Sequence, residues 1–281
     1  MIYVSSSCVK NQFIWQSVET LAKNGFKNIE LSGGTERDSR YIKHLHDLKE
    51  KFNLNYRCHN YFPPPEEHFV MNLASDSDEI YSKTINIINE SIKLSKIFGA
   101  TEYGFHAGFL IDISTSEIGK SVMGRDLFDR KEANNRFIER FKNIDVQDGI
   151  RLYIENNVVS MNNYSNFGNQ NCFLLTSYED VEAMKSKLDF NLLLDIGHLY
   201  VSCNTLGKDF DQEFNLLSQL TDYIHISDNN GVSDENKRLK KGSKIHNALL
   251  ASNLKDKTFT IEINNDIEGL TDSYNILMEL L

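Results

Sequence analysis

The sequence has 281 residues, of which 40% are hydrophobic and 25% charged, and it contains no low-complexity tract to suggest disorder. This length suits one large α/β domain, since an α/β barrel typically needs about 250 residues, and we predict a single domain over residues 1–281. The formal net charge of −10 argues against a nucleic acid as partner, because proteins that bind polyanions usually present a basic face.

Hydrophobic spacing predicts an alternation of strands and helices along the whole chain. Strands are short runs of apolar and β-branched residues, and helices are longer segments in which apolar residues recur every three to four positions. Capping signals separate them, such as Asn24-Gly25 after the first helix and Gly99 after the third. In chain order, the predicted segments are strand 2–6, helix 15–23, strand 27–31, helix 41–52, strand 55–61, helix 78–98, strand 101–105, helix 132–146, strand 151–155, helix 178–188, strand 191–195, helix 206–220, strand 222–225, helix 243–253, strand 259–262 and helix 270–281.

Two long loops follow predicted strands. Residues 109–131 show no clear period, and residues 156–171 are rich in Asn and Gly. Loops at one end of an α/β sheet carry function more often than they mark a boundary between domains. We therefore expect the loop at 109–131 to cover a substrate.

Eight strands alternating with eight helices predict an α/β fold, the (β/α)8 or TIM barrel, with its active site at the C-terminal ends of the strands. The alternative is an open, doubly wound sheet. That fold usually carries a Gly-rich, phosphate-binding turn after its first strand, and the sequence has no such turn there. The barrel is the better prediction.

Cysteine usage and the N-terminal segment predict the compartment. The four cysteines, Cys8, Cys58, Cys172 and Cys203, show neither CxxC spacing nor the density of a disulfide framework. The first residues lack a basic stretch followed by an apolar one, and no run of 18 or more apolar residues occurs. We expect a cytoplasmic protein without a membrane partner.

The apolar run at residues 192–194 ends in Asp195, which is followed by Gly197 and His198. Such a run fits a strand that is buried on both faces, and Asp195 then lies where the strand leaves the sheet. The alternative is an Asp that caps a helix, with His198 as a satisfied neighbour.

Three further strand-like runs end in a residue that can bind a metal: Glu155, His225 and Glu262. The successive intervals from Glu155 through Asp195 and His225 to Glu262 are 40, 30 and 37 residues, each about one strand plus one crossover helix. Successive parallel strands would therefore present all four side chains at one edge.

Three carboxylates and one imidazole make an oxygen-rich site for a divalent ion. This set suits Mn²⁺, Mg²⁺, Co²⁺ or Zn²⁺ and is poor for copper or iron–sulfur clusters. Without an ion, three converging carboxylates would repel one another. We predict one divalent metal cofactor, and the alternative is four independent surface charges.

The motifs resemble the xylose-isomerase-like, or endonuclease IV-like, TIM barrels, which include sugar-phosphate isomerases and epimerases. The likeness covers nearly the whole chain, and its most specific parts are the DxGH motif at Asp195 and the HxxDN motif at His225. The residues that follow the order of the family are the second-strand segment 24–31, His59, His106, Glu155, Asp195 to His198, His225 to Gly231, and Glu262.

The resemblance implies roles for these residues. Glu155, Asp195, His225 and Glu262 would bind the catalytic metal, and His198 would contact substrate or a further metal. Where trinuclear family members have Asp-x-His after the seventh strand, this chain has Asp234-Glu235-Asn236, so a full three-metal cluster is not expected.

Three roles then remain possible for His59 and His106. As metal ligands they would hold additional ions, and as substrate contacts they would hydrogen-bond sugar hydroxyls. The third alternative is a structural histidine at a strand end.

The expected chemistry is proton transfer next to a carbonyl. A divalent ion that chelates a ketone oxygen and the neighbouring hydroxyl would stabilise an enediolate, while Glu155 and Glu262 remove and return the proton. Two bases on opposite faces give epimerisation, and one base gives aldose–ketose isomerisation. The same enediolate with a leaving hydroxyl gives dehydration, as in an inosose-type dehydratase.

Lys240 and Lys241 precede Gly242-Ser243 at the start of a predicted helix after the seventh strand. Barrel enzymes often hold a substrate phosphate there, so both lysines are candidate substrate contacts, and a solvated charged loop is the alternative.

Three classes of protein remain: a sugar isomerase or epimerase acting on a small carbohydrate, an apurinic-site endonuclease, and a metal-free binding barrel. The first is the prediction. The nuclease would need three metals and a basic groove, and the binding barrel would need an empty site. A homo-oligomer is compatible with all three.

Overall fold

The structure is a computed structural model that describes residues 1–146, 149–264 and 266–281. Eight parallel strands close into a barrel, because each strand pairs with the next along the chain and the last pairs with the first. The (β/α)8 fold predicted from the sequence is confirmed. The strands are β1 (Ile2–Ser5), β2 (Asn28–Leu31), β3 (Asn55–His59), β4 (Glu102–His106), β5 (Arg151–Glu155), β6 (Asn191–Asp195), β7 (Tyr223–Ile226) and β8 (Thr258–Ile261).

The described residues contain ten α-helices, two more than predicted, together with two short 3-10 helices. The α-helices are α1 (Ile14–Lys23), α2 (Tyr41–Phe52), α3 (Asp78–Phe98), α4 (Arg130–Lys142), α5 (Met161–Asn166), α6 (Tyr178–Lys185), α7 (Ile196–Leu206), α8 (Phe210–Ser218), α9 (Lys244–Leu250) and α10 (Ile267–Leu280).

The region around the predicted helix 206–220 shows why the helix count differs. Gly207 adopts a φ of +67°, in the left-handed region that favours glycine, and it ends α7. Asp209 then caps α8 by accepting a hydrogen bond from the Gln212 N–H at 2.8 Å. The other additional helix, α5, lies inside the predicted loop 156–171 and is capped by Ser160.

The apolar run in β6 is buried on both faces of the barrel wall, as predicted for a parallel strand. Leu192 and Leu194 join the large core between strands and helices, whereas Leu193 packs inside the barrel with Tyr153 and Tyr223. All three leucines are fully buried. Each buried leucine contributes roughly 1.5–3 kcal/mol relative to an exposed one, so this strand is strongly held in its register.

The barrel interior is polar at both ends. Near the N-terminal ends of the strands, the Arg57 guanidinium lies over the rings of Tyr3 and Tyr223 at 4.8 and 4.0 Å and pairs with Glu102 at 3.2 Å. These residues come from four different strands, so their contacts close the bottom of the barrel. The opposite end holds the side chains predicted to bind a metal.

The four cysteines are free thiols, and each is buried. Within the described parts of the chain, none of the helices has the length and apolar character needed to cross a membrane.

Candidate metal centre

The four predicted ligands lie together at the C-terminal mouth of the barrel. Glu155 and Asp195 end β5 and β6, His225 lies near the end of β7, and Glu262 follows β8 directly. One ligand atom from each of the four lies within 4.8 Å of the corresponding atom of the others. The strand register explains this, since it places Asp195 directly beside His225.

The imidazole of His225 lies at the centre of this group. Its Nδ1 atom is 3.4 Å from Glu155 Oε1 and 3.3 Å from Glu262 Oε2, yet it forms no hydrogen bond. The side chain of His225 is completely buried, whereas that of Glu262 keeps 23% of its surface exposed. A buried ring nitrogen therefore faces two carboxylates, and the group is reached from solvent beside Glu262.

This donor set fits a divalent cation. Carboxylate oxygens and one imidazole nitrogen are ligands that Mn²⁺, Mg²⁺, Co²⁺ and Zn²⁺ accept, and a cation between them would relieve the repulsion of three converging carboxylates. The Nδ1 of His225 has no hydrogen bond of regular geometry, and a cation bound there would give this buried atom a partner, whose absence typically costs about 1–3 kcal/mol.

Asp195 is both a strand-end residue of the metal group and the N-cap of a helix, the two roles that the sequence left open. It ends β6 at the metal group, and it is also the N-cap of α7, because its Oδ1 accepts a hydrogen bond from the His198 N–H at 2.7 Å. The side chain of Asn156 holds the Asp195 peptide on both sides, accepting from its N–H at 2.7 Å and donating to its carbonyl at 3.0 Å. The hydrogen bond from the His198 N–H thus holds the Asp195 carboxylate directly, and the two hydrogen bonds to Asn156 hold the Asp195 backbone.

The glycine of the DxGH motif is required by a close approach. A Cβ atom on Gly197 would lie 2.7 Å from Ser227 Oγ and 3.2 Å from Asp195 Oδ1. The first of these distances is too short for any side chain unless the Ser227 hydroxyl moves away. Gly197 therefore allows the first turn of α7 to pack against the end of β7.

Three further histidines surround Glu155. His59 Nε2 donates to Glu155 Oε2 at 2.8 Å, and His106 Nδ1 lies 3.3 Å from the same oxygen. His198 Nδ1 donates to the Asn156 carbonyl at 2.9 Å, which leaves its Nε2 facing Asp234 Oδ2 at 3.4 Å. His106, Glu155 and His198 form a second group that could hold a cation.

The substituted motif after β7 keeps its acid beside this second group. Asp234 reaches His198, whereas the Asn236 amide donates to Asp234 Oδ2 at 3.3 Å and offers no imidazole. An Asn side chain is a poor replacement for a His ligand because its amide nitrogen has no lone pair to donate. Asn236, which stands where trinuclear family members have His, thus removes one nitrogen ligand from this side of the site.

The charge state of the carboxyl groups follows from burial and from the imidazoles. Burial raises the pKa of Glu155, but His106 and the neighbouring imidazoles outweigh it and hold the pKa well below its ordinary value. Burial likewise opposes ionisation of Glu262, yet the contact with His225 lowers its pKa to about 2. Burial raises the pKa of Asp195 to about 6. Both glutamates are therefore charged at neutral pH and can accept a proton or bind a cation.

The imidazoles divide into two kinds. Burial lowers the pKa of His106 to about 4, so this ring is neutral at physiological pH and can offer a lone pair. Burial also opposes protonation of His225 and His198, but the adjacent carboxylates outweigh it and raise both pKa values well above the ordinary one. The pKa of His59 is raised in the same way, against burial, by Glu155 and Glu30.

The sequence did not reveal three contributors to the site. Glu30 on β2 lies 3.1 Å from His225 Nε2, and the Ser7 hydroxyl donates to Glu262 Oε1 at 2.9 Å, with Ser5 Oγ at 3.4 Å. A signal for Glu30 was present, because a charged residue between Ile29 and Leu31 must point into the barrel when its neighbours point outward. The serines carried no comparable signal.

Lys240 and Lys241 are the two lysines proposed to bind a substrate phosphate. The Lys241 ammonium pairs with Glu279 on α10, and the Lys240 backbone N–H donates to Asp228 Oδ2 at 3.2 Å. Both lysine side chains are exposed. The structure does not bring Lys241 into contact with the metal group, and a role of either lysine in binding phosphate stays a prediction.

Comparison with known proteins gives the family and the fold. A model of the xylose isomerase-like TIM barrel family matches residues 18–280. An uncharacterised protein of Methanocaldococcus jannaschii is 22% identical over 289 residues, which span 99% of this chain and 88% of that protein. A solved D-tagatose 3-epimerase-like protein superposes with a TM-score of 0.73 at 19% identity, covering 99% of this chain and 96% of the other. Endonuclease IV from Thermus thermophilus superposes with a TM-score of 0.63 at 14% identity, covering 99% of both chains.

Proposed function

The chain belongs to the xylose isomerase-like TIM barrel family, and we propose that it is a metal-dependent isomerase or epimerase of a small sugar, ketose or sugar phosphate. The observation that carries the proposal is the convergence of Glu155, Asp195, His225 and Glu262, with the unpaired Nδ1 of His225 between the two glutamates. The fold shared with a D-tagatose 3-epimerase-like protein supports it.

Glu155, Asp195, His225 and Glu262 would hold the ion. When bound, a divalent ion supplies positive charge that stabilises a developing oxyanion. The two glutamates then provide the proton transfer. Their nearest oxygens lie 3.4 and 3.3 Å from the same imidazole nitrogen, so both carboxylates border one small space.

The surroundings of each glutamate leave it able to act as a base. Ser7 holds Glu262 Oε1, so that Oε2 faces the group, and His59 holds Glu155 Oε2, so that Oε1 faces it. One carboxylate would remove the proton from the carbon next to the carbonyl, and the other would return a proton on the opposite face. Two bases on opposite faces would give epimerisation, and a single base would give isomerisation.

We expect the metal-loaded protein to exchange a carbon-bound proton of a ketose in D₂O. A panel of ketoses, each paired with its phosphate, is incubated with protein and Mg²⁺ or Mn²⁺, quenched with chelator and analysed by proton NMR. Loss of the signal from the carbon next to the carbonyl supports the proposal, and the paired panel tests phosphate recognition by Lys240 and Lys241. Absence of exchange with every sugar, by protein that contains its metal, would contradict proton transfer and favour the binding barrel.

The competing function is that of an apurinic-site endonuclease, favoured only by the shared fold. We expect metal-replete protein neither to nick nor to bind duplex DNA that contains an abasic site. A net charge of −10 disfavours contact with phosphates, and Asn236 replaces a ligand that a three-metal nuclease would use. A gel-based nicking assay at low salt tests this expectation, with a known abasic-site endonuclease as the positive control. Metal-dependent nicking would reverse the order of the two functions.

A further inference from the structure

Glu30 is a fully buried carboxylate inside the barrel, and the mechanism above does not use it. It lies on β2 and faces Nε2 of His225, whereas Glu155 and Glu262 face Nδ1. Its Oε1 atom is 3.1 Å from His225 Nε2 and 3.9 Å from His59 Nδ1, yet it has no hydrogen bond of regular geometry. The other oxygen, Oε2, accepts a hydrogen bond from the Thr260 hydroxyl at 3.0 Å.

A cation bound to one ring nitrogen of His225 would fix the tautomer of the ring. Nδ1 faces Glu155 and Glu262, and it can bind a cation only when it carries no proton. The ring proton must then lie on Nε2, where the neighbours are Glu30 Oε1 and the Tyr223 hydroxyl at 3.3 Å. A carboxylate accepts hydrogen bonds, so Glu30 would stabilise the Nε2 proton that remains once Nδ1 binds the ion.

Thr260 directs this interaction. Its register places it directly beside His225 on the neighbouring strand, and its hydroxyl occupies Oε2 of Glu30. The free oxygen of the carboxylate is consequently the one that faces the two imidazoles. A buried carboxylate is costly unless its oxygens find partners, and the two imidazoles are the groups that Oε1 of Glu30 faces.

We propose that Glu30 is a positioning residue that orients His225, with its proton on Nε2, so that the Nδ1 lone pair is presented to the metal. The inference rests on the proposed function, because it assigns to Glu30 the metal affinity of that site. Carboxylates that accept the second N–H of a metal-binding histidine typically contribute about 10- to 100-fold to metal affinity.

The test compares the wild type with Glu30→Gln, which keeps the size of the side chain and removes its charge. We expect the Mn²⁺ dissociation constant, measured by electron paramagnetic resonance, to rise about 10- to 100-fold. In the zinc-loaded proteins, ¹⁵N-resolved NMR should show His225 bound through Nδ1, with a low-field Nε2–H proton that moves upfield in Glu30→Gln. A purely structural role would leave that proton unchanged.

Two further variants act as controls. Glu90→Gln removes a glutamate that pairs with Arg37 outside the barrel, and we expect it to leave the Mn²⁺ affinity unchanged. Thr260→Val removes the hydroxyl that holds Glu30 but keeps the carboxylate, and we expect a smaller loss of affinity than in Glu30→Gln. This variant also tests the inference if Glu30→Gln does not fold.

The outcomes separate this inference from the proposed function. If the wild type, Glu30→Gln and Thr260→Val all bind metal with the same affinity, the role of Glu30 is overturned and the proposed function is not. Zinc bound through Nε2 of His225 in the wild type would also overturn it, whatever the variants do. A wild type that binds no divalent ion would contradict the proposed function and this inference with it.

Discussion

Replacing either Glu155 or Glu262 by Gln is expected to lower the rate of carbon–hydrogen exchange by about 10²- to 10⁴-fold, the usual contribution of a general base. Gln keeps the size of Glu and one acceptor oxygen, but it cannot take up a proton. Each carboxylate borders the unpaired Nδ1 of His225, so a substrate held there would lie within reach of both. Exchange is measured by NMR in D₂O, with metal content determined on the same samples.

The two variants also distinguish epimerisation from isomerisation. Exchange lost in both variants at retained metal content supports two-base chemistry, whereas exchange that survives in one variant indicates a single base. Glu90→Gln, outside the barrel, is the matched control and should exchange at the wild-type rate. Wild-type exchange rates in both active-site variants would exclude the two glutamates as the acid and base.

Asp195→Asn is expected to abolish tight binding of the divalent ion. The Asn side chain can still cap α7 through its oxygen, so the helix should remain, but the site loses one of its three negative charges. A ligand present at about 1,000 times its dissociation constant stabilises the folded state by about 4 kcal/mol. We expect the wild type to show such a stabilisation by Mn²⁺ in thermal unfolding, and Asp195→Asn to lose most of it.

Asp209→Asn provides the control for this experiment. Asp209 caps α8 with the same geometry, and its carboxylate is not among the described residues that group at the mouth. It should retain full stabilisation by Mn²⁺. Elemental analysis of the purified wild type belongs to the same experiment, because wild-type protein that contains and binds no divalent ion would indicate the binding barrel. Full stabilisation of Asp195→Asn would remove Asp195 from the ligand set.

The barrel could be predicted from the sequence because each of its elements has a local signal. The leucines at 192–194 mark a strand buried on both faces, and glycines such as Gly99 mark the ends of helices. Where local signals conflicted, the prediction was wrong. A helix was expected over 206–220, but α7 already occupies Ile196–Leu206, and Gly207 and Asp209 separate it from α8 at Phe210–Ser218.

The convergence of the four proposed ligands could also be predicted, because it depends on topology. Parallel strands with crossover helices bring their C-terminal ends to one edge. The intervals between candidate ligands along the chain are therefore enough to identify those that lie there. The chemistry assigned to those residues remains a proposal. The two alternatives for Asp195 could not be separated from the sequence, and the structure shows why: the same side chain caps α7 and faces His225.

The sequence by itself determined the strand–helix order and the set of side chains at the strand ends, since both follow from local periodicity and chain connectivity. Only the tertiary structure decided which nitrogen of His225 faces the carboxylates, and that Glu30 from a distant strand lies behind it. It also decided that Asn156 holds the Asp195 peptide and that Lys241 pairs with Glu279. These contacts join residues far apart in the chain, and their atoms meet only because barrel closure and side-chain packing fix distances that no local pattern encodes.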